Sequence, residues 1–215
     1  MEDRIRVLIV DDQSMSRRLF ELYVASSERY CLVDSIGSAI AADIYCRQIR
    51  VDLVLMDVLM AEGIDGLEAA ERIKSVSPGT KIIIVTSMPE VSYLRRAREI
   101  GVESFWYKEA SPEPILDIMD RTVAGESVYP DAAPVVMIGT ARSTDFTDRE
   151  LDILREMTTG ASNAQIGDKL GLSGNTVRNY IVQLMTKTGF TTRTELAVKA
   201  RVLGLVISGD ETGSR

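Results

Sequence analysis

The chain has 215 residues, 45% of them apolar and 27% charged, which is the make-up of one or two ordinary folded domains rather than of a disordered or fibrous chain. It contains no histidine, so histidine general bases, Ser-His-Asp or Cys-His arrangements and zinc–histidine sites are excluded. The formal charge of −7 is uneven: residues 1–129 carry 22 acids against 15 Lys/Arg, and residues 145–205 carry 7 against 8. Such asymmetry implies two regions with separate partners.

No apolar stretch approaches the roughly 20 residues that cross a bilayer. Met1-Glu2-Asp3-Arg4-Ile5 runs straight into a strand pattern and lacks the layout of a signal peptide. Cys31 and Cys46 have no metal-ligand spacing and suit reduced core residues of a cytoplasmic protein.

Strand and helix patterns alternate from Ile5 to about Gly125. A β-branched apolar run over 5–10 ends at Asp11-Asp12, and a helical pattern follows over 14–27. A strand ending near Ile36 and a helix over 38–49 come next. The run over 52–56 leads directly into Asp57, with a helix over 66–76 behind it. The run over 81–85 leads into Thr86, followed by a helix over 91–100. The last strand, 104–107, leads into Lys108, and a helix over 113–124 closes the series. Ser14 and Ser38 are placed as N-caps, and Gly101 as the glycine after a helix end. Continuous apolar runs of this length read as buried parallel strands, so the fold expected is α/β, a doubly wound five-stranded parallel sheet of flavodoxin-like type.

In such a sheet the carboxyl ends of the strands form the ligand crevice. Three acids, a hydroxyl and an ammonium therefore converge there from distant parts of the chain. Asp12 and Asp57 can supply carboxylates to Mg²⁺, with Asp11 acting through water or from a second layer. Asp57 is the candidate nucleophile toward phosphorus, Lys108 the counter-charge, and Thr86 the donor to phosphoryl oxygens. Taken singly each residue has a bland reading as loop acid, cap or surface lysine; the joint placement on strand ends carries the argument.

With these residues in place, the sequence resembles response-regulator receiver domains from about Ile5 to Gly125. Asp11-Asp12, Asp57, Thr86 and Lys108 fall on that family's acid pair, phosphoacceptor, switch hydroxyl and lysine, and Phe105 on its switch aromatic. The resemblance implies phosphoryl transfer from the phosphohistidine of a sensor histidine kinase, catalysed by the receiver itself, followed by movement of the threonine and the aromatic. It also implies a metal contact from the backbone carbonyl of Leu59. Ala61 stands where proline is usual, so the loop after Asp57 is expected to be softer. Leu59 and Met88 flank the expected path of hydrolytic water and are apolar, which predicts slow self-dephosphorylation.

Residues 127–144, with Pro130, Pro134 and Gly139, read as a semi-rigid linker. Beyond Phe146 only helical patterns appear: 148–159, 163–170, 173–188 and 193–203. Gly171-Leu172-Ser173 is the short turn of a helix-turn-helix. Val177, Ile181 and Leu184 form one buried stripe, leaving Asn175, Arg178, Asn179 and Val182 outward on a helix suited to a major groove. Thr147-Asp148-Arg149-Glu150, Gly160-Ala161-Ser162-Asn163 and the run over 172–180 resemble the LuxR-type DNA-binding domain, and the whole chain is similar to NarL/FixJ-type regulators. That resemblance implies base-facing roles for Arg178, Asn179 and Val182, phosphate contacts from Asn163, Thr176 and Lys187, and a homodimer on DNA through residues 195–203, with Glu195 at the start and Leu203 at the end.

The expected organisation is a receiver over 1–126, a linker over 127–144, a small all-α helix-turn-helix domain over 145–207 and a disordered tail over 208–215. The expected function is that of a cytoplasmic transcription regulator of double-stranded DNA, without a membrane partner. It is switched by phosphorylation of Asp57 and is no enzyme beyond its own phosphoryl transfer and hydrolysis. The alternative is a pseudo-receiver regulator driven by a ligand or protein partner.

Overall fold

The computed structural model describes residues 4–60 and 63–206; Ala61 and the tail over 208–215 lie outside the described residues. The chain divides into two compact units, with the main boundary between Asp131 and Ala132.

The first unit runs β1 (Ile5–Val10), α1 (Ser14–Ala25), β2 (Tyr30–Ile36), a single 3₁₀ turn (Ala39–Ala41), α2 (Ala42–Gln48), β3 (Leu53–Asp57), α3 (Gly66–Val76), β4 (Lys81–Thr86), α4 (Val91–Ile100), β5 (Ser104–Tyr107) and α5 (Ile115–Ala124). All four pairings are parallel and the strand order is β2-β1-β3-β4-β5. The middle strands are buried on both faces because helices cover each side, which is why their sequences are continuous rather than alternating. Val10 pairs with Met56, Asp57 with Val85, and Thr86 with Tyr107, so the carboxyl ends stand level.

Three local expectations change. The N-cap of α1 is Gln13, not Ser14, because the Asp11 carboxylate takes the Gln13 N–H at 2.8 Å and leaves Ser14 inside the first turn. Ser38 precedes the 3₁₀ turn without a side-chain cap bond. Helix α5 starts at Ile115 behind Pro114, whose fixed φ suits the flank of a helix but not its interior.

Past α5 the chain lies along β5. The Phe105 N–H donates to the Val128 carbonyl at 2.9 Å, and the Val128 N–H donates to Ser104 Oγ at 3.1 Å. An edge strand offers such unpaired groups, and here the outgoing chain covers them.

The second unit opens with a two-stranded hairpin, β6 (Met137–Ile138) and β7 (Ala141–Arg142), within the segment read as a linker. Four helices follow: α6 (Asp148–Thr158), α7 (Asn163–Leu170), α8 (Gly174–Thr188) and α9 (Arg193–Val202). Each begins on a Ser or Thr cap: Thr147, Ser162, Ser173 and Thr192. Their apolar faces meet in one core containing Leu151, Leu154, Ile166, Val177, Ile181, Leu184 and Leu196, joined by Ile138 and Ala141 of the hairpin. Between α7 and α8 the chain turns so closely that a Cβ on Gly167 would stand 2.5 Å from the Leu172 carbonyl oxygen.

Candidate phosphoacceptor and DNA-reading sites

Asp57 is the last residue of β3 and Thr86 the last of β4, one position beyond the apolar runs that announce them. Both are buried, and Asp11 is fully so. Lys108, one residue past β5, places its ammonium 2.7 Å from Asp11 Oδ2 and 3.1 Å from Asp57 Oδ2. Asp11 is anchored further by the Gln13 N–H and the Ser16 hydroxyl, while its carbonyl accepts from Arg17 at 2.7 Å. The expected acids, hydroxyl and ammonium thus share one end of the sheet.

Burial pushes the Asp57 carboxyl up to about 6; Lys108 opposes this, Asp11 adds to it, and the Leu59 N–H at 3.4 Å opposes it weakly. A carboxylate near a second carboxylate in a buried site is costly to ionise unless a cation compensates. Asp11, Asp12 and Asp57 each offer an oxygen within 4.8 Å of the others. An all-oxygen set of this kind suits a hard divalent cation such as Mg²⁺.

The backbone behind Asp57 is fixed by Gly66. Its N–H donates to the Val58 carbonyl at 3.0 Å, and a Cβ there would stand 1.7 Å from the Asp57 carbonyl oxygen. Sequence patterning placed Gly66 only as the start of a helix; its contact with the Asp57 backbone went unseen.

Phe105 is buried, with its ring centroid 5.1 Å from Tyr107 and 6.2 Å from Tyr129. Tyr129 in turn lies under the Arg98 guanidinium, 4.6 Å from the ring centroid, and donates its hydroxyl to the Val102 carbonyl at 2.8 Å. Tyr129 falls in the expected linker, so its role against the aromatic had no sequence signal beyond an aromatic among prolines.

In the second unit, Asn175, Arg178, Asn179 and Val182 are exposed on α8, opposite the buried Val177, Ile181 and Leu184. Thr176 is half-buried, its hydroxyl 2.8 Å from that of Ser173. Asn163 opens α7, and its Oδ1 accepts from Arg193 at 2.6 Å, a positioning contact that the sequence did not reveal. Lys187 also makes contacts within the domain that the sequence did not reveal. Its ammonium donates to Glu150 Oε1 at 2.6 Å, Glu150 Oε2 at 2.8 Å and the Asp145 carbonyl at 2.9 Å, and lies over the Phe146 ring. Burial raises the Glu150 carboxyl, but the bonds from Lys187 and Thr147 outweigh it and hold the group below its ordinary value. In this structure Lys187 is thus engaged inside the domain, as Asn163 is by Arg193.

A five-stranded parallel sheet with an acidic, lysine-bridged pocket at its carboxyl edge, followed by a helix-turn-helix unit, defines a receiver joined to a DNA-binding domain. Two family patterns bear this out: residues 7–120 match the response regulator receiver domain, and residues 144–200 match the bacterial regulatory proteins of the luxR family. The chain is a response regulator with a LuxR-type DNA-binding domain. It is 31% identical to the response regulator protein VraR of Staphylococcus aureus, over 91% of this chain and 96% of VraR. It is 29% identical to the transcriptional regulatory protein YxjL of Bacillus subtilis, over 95% and 99% of the two chains. Among solved structures, RcsB of Salmonella enterica serovar Typhimurium, bound to a promoter in the presence of phosphomimetic BeF₃⁻, shares the fold with a TM-score of 0.62, 17% identity, and coverage of 92% of this chain and 98% of that one.

Proposed function

We propose that Asp57 accepts a phosphoryl group from the phosphohistidine of a sensor histidine kinase and that this controls reading of double-stranded DNA by α8. In the transfer, an Asp57 carboxylate oxygen forms the new bond to phosphorus, the P–N bond breaks, and the imidazole leaves with the electron pair. The observation that carries the reading is the Lys108 ammonium bridging Asp11 and Asp57 at the sheet edge. There it meets the charge that builds on the phosphoryl oxygens. Thr86, buried at the end of β4, donates to one of them, and Phe105 follows its movement. Asp12, Asp57 and the Leu59 carbonyl would hold Mg²⁺, with Asp11 assisting through water, and the ion would supply charge neutralisation.

On DNA, Arg178 favours guanine edges, Asn179 adenine and Val182 a thymine methyl, with Asn175 beside them. Asn163 and Thr176 contact phosphates, and Lys187 does so where it is released from Glu150. Two copies pair through residues 195–203, where Val198 and Val202 are exposed. A DNA partner supports a cytoplasmic location. Separately, among the described residues no helix is long and apolar enough to cross a membrane.

Incubation with acetyl phosphate and Mg²⁺ tests the first half: one phosphoryl group is taken up, and none by Asp57→Asn. Uptake unaffected by that substitution sinks the assignment, and no uptake by either chain favours the pseudo-receiver. Selection from random duplex DNA tests the second half.

A further inference from the structure

The luxR-family match starts at residue 144, yet the packing of the second unit starts earlier. Ile138 and Ala141 of the β6–β7 hairpin are inside the domain core. The hairpin tip, Gly139 and Thr140, meets the last turn of α8. Thr140 donates its N–H to the Thr188 carbonyl at 3.0 Å and its hydroxyl to the Lys187 carbonyl at 2.9 Å. Carbonyls in the last turn of a helix have no partner within it, so the hairpin supplies what the helix cannot. The approach is backbone to backbone. Gly139 sits at φ +60°, and a Cβ there would stand 1.9 Å from the Thr188 carbonyl oxygen.

This end of α8 is gripped from a second side by the bonds of Lys187 to Asp145 and Glu150. The exposed residues Arg178, Asn179 and Val182 stand on the same rigid helix, about one and a half to three turns back. Reading a base edge requires side chains to be held within roughly 0.5 Å and 10–20° of the productive geometry. A clamp on the distal turn of a short helix sets its tilt.

We propose that the β6–β7 hairpin is a positioning element for DNA recognition: Gly139 and Thr140 fix the C-terminal turn of α8 and so the angle at which Arg178, Asn179 and Val182 meet the bases. This rests on the reading of α8 as the DNA-contacting helix. The hairpin itself touches no DNA. It belongs to the DNA-binding domain although the sequence reads it as linker, and it lies on the covalent path from the receiver, directly downstream of the Tyr129 contact with Phe105.

The test uses the full chain and two probes: the duplex that the unsubstituted chain selects from a random pool, and a scrambled duplex of equal length. Thr140→Val keeps the N–H and removes the hydroxyl donor. Affinity for the selected duplex falls about fivefold, the worth of one hydrogen bond, while affinity for the scrambled duplex changes less than about twofold. Thr140→Ser restores selective binding. Gly139→Ala lowers it by at least about tenfold, since the strain there exceeds one bond. Amide exchange over residues 185–190, measured without DNA, speeds up in Thr140→Val and recovers in Thr140→Ser. Equal losses on both duplexes, or unchanged selectivity with faster exchange, overturn the proposal and leave the hairpin a purely structural element. Failure of the unsubstituted chain to select any duplex overturns the DNA reading, and this proposal with it, and is seen before any variant is made.

Discussion

The Lys108 ammonium stands 3.1 Å from the Asp57 carboxylate while holding Asp11 more closely, at 2.7 Å, so Asp57 has only a share of its counter-charge. Burial therefore wins, and the Asp57 carboxyl rises from 3.8 to about 6. Between these values the folded chain binds more protons than the unfolded one, so stability falls as pH rises from about 4 to about 6. The full effect is about 3 kcal/mol. Without divalent cation, the urea midpoint of the natural chain should decline across this window relative to Asp57→Asn, where the group is absent. Excess Mg²⁺ should remove the decline, because a cation that binds the ionised site stabilises the fold that contains it. Parallel pH profiles for the two chains in the absence of metal would rule this out.

Gly66→Ala tests how firmly the acceptor is held. The new methyl would stand 1.7 Å from the Asp57 carbonyl oxygen and 3.1 Å from Met56 Cγ, and backbone cannot swing aside as a side-chain tip can. The expected outcome is a stability loss of about 3 kcal/mol, at the upper end for overpacking, together with slower phosphoryl uptake from acetyl phosphate. A variant with natural stability and natural uptake would show that the β3–α3 turn yields freely.

The sheet and the clustering of acids, hydroxyl and lysine at its rim were legible in the sequence because buried parallel strands need apolar residues at every position, and a polar residue ending such a run must sit at the rim. Asp57, Thr86 and Lys108 all announce themselves this way. Contacts that span the chain leave no such trace. Nothing local to Lys187 distinguishes a lysine aimed at phosphate from one paired with Glu150, 37 residues earlier in the chain. The hairpin was missed for another reason: its strands have two residues each, too few for any period to register. The apolar run over 135–138 followed by Gly139 was the signal available. Ser14 lost the cap position to a neighbour, since the Asp11 carboxylate reached the Gln13 N–H first.

Leu59 follows Asp57 by two positions and is half-buried, with its N–H directed at Asp57 Oδ1. An apolar side chain here cannot orient an attacking water, whereas an amide can both accept and donate to one. Leu59→Asn should shorten the lifetime of the phosphorylated chain by about an order of magnitude, less than the roughly 10²–10⁴-fold of a full general acid or base because an amide orients the water without taking its proton. Uptake from acetyl phosphate should change little, because the Leu59 carbonyl and N–H remain. Following loss of radiolabelled phosphate at fixed Mg²⁺ measures the effect; equal lifetimes would remove Leu59 from the control of hydrolysis.

Lys187→Ala separates a structural lysine from a DNA contact. The ammonium meets the buried Glu150 through two bonds and closes on the Asp145 carbonyl. Removing it leaves a carboxylate that burial already disfavours with only its bonds from Thr147, at a cost of about 2 kcal/mol. Because the folded Glu150 carboxyl is held below its ordinary 4.5, its contribution to stability is present above that value and lost as pH falls through the folded pKa. The natural chain should therefore lose its advantage over Lys187→Ala on acidification below about pH 4.5. A phosphate contact would instead flatten the dependence of log affinity on log salt by about 0.9 for each lost charge. The expected result is a lower thermal midpoint for the second unit with an unchanged salt slope; a flattened slope with natural stability would return Lys187 to the DNA surface.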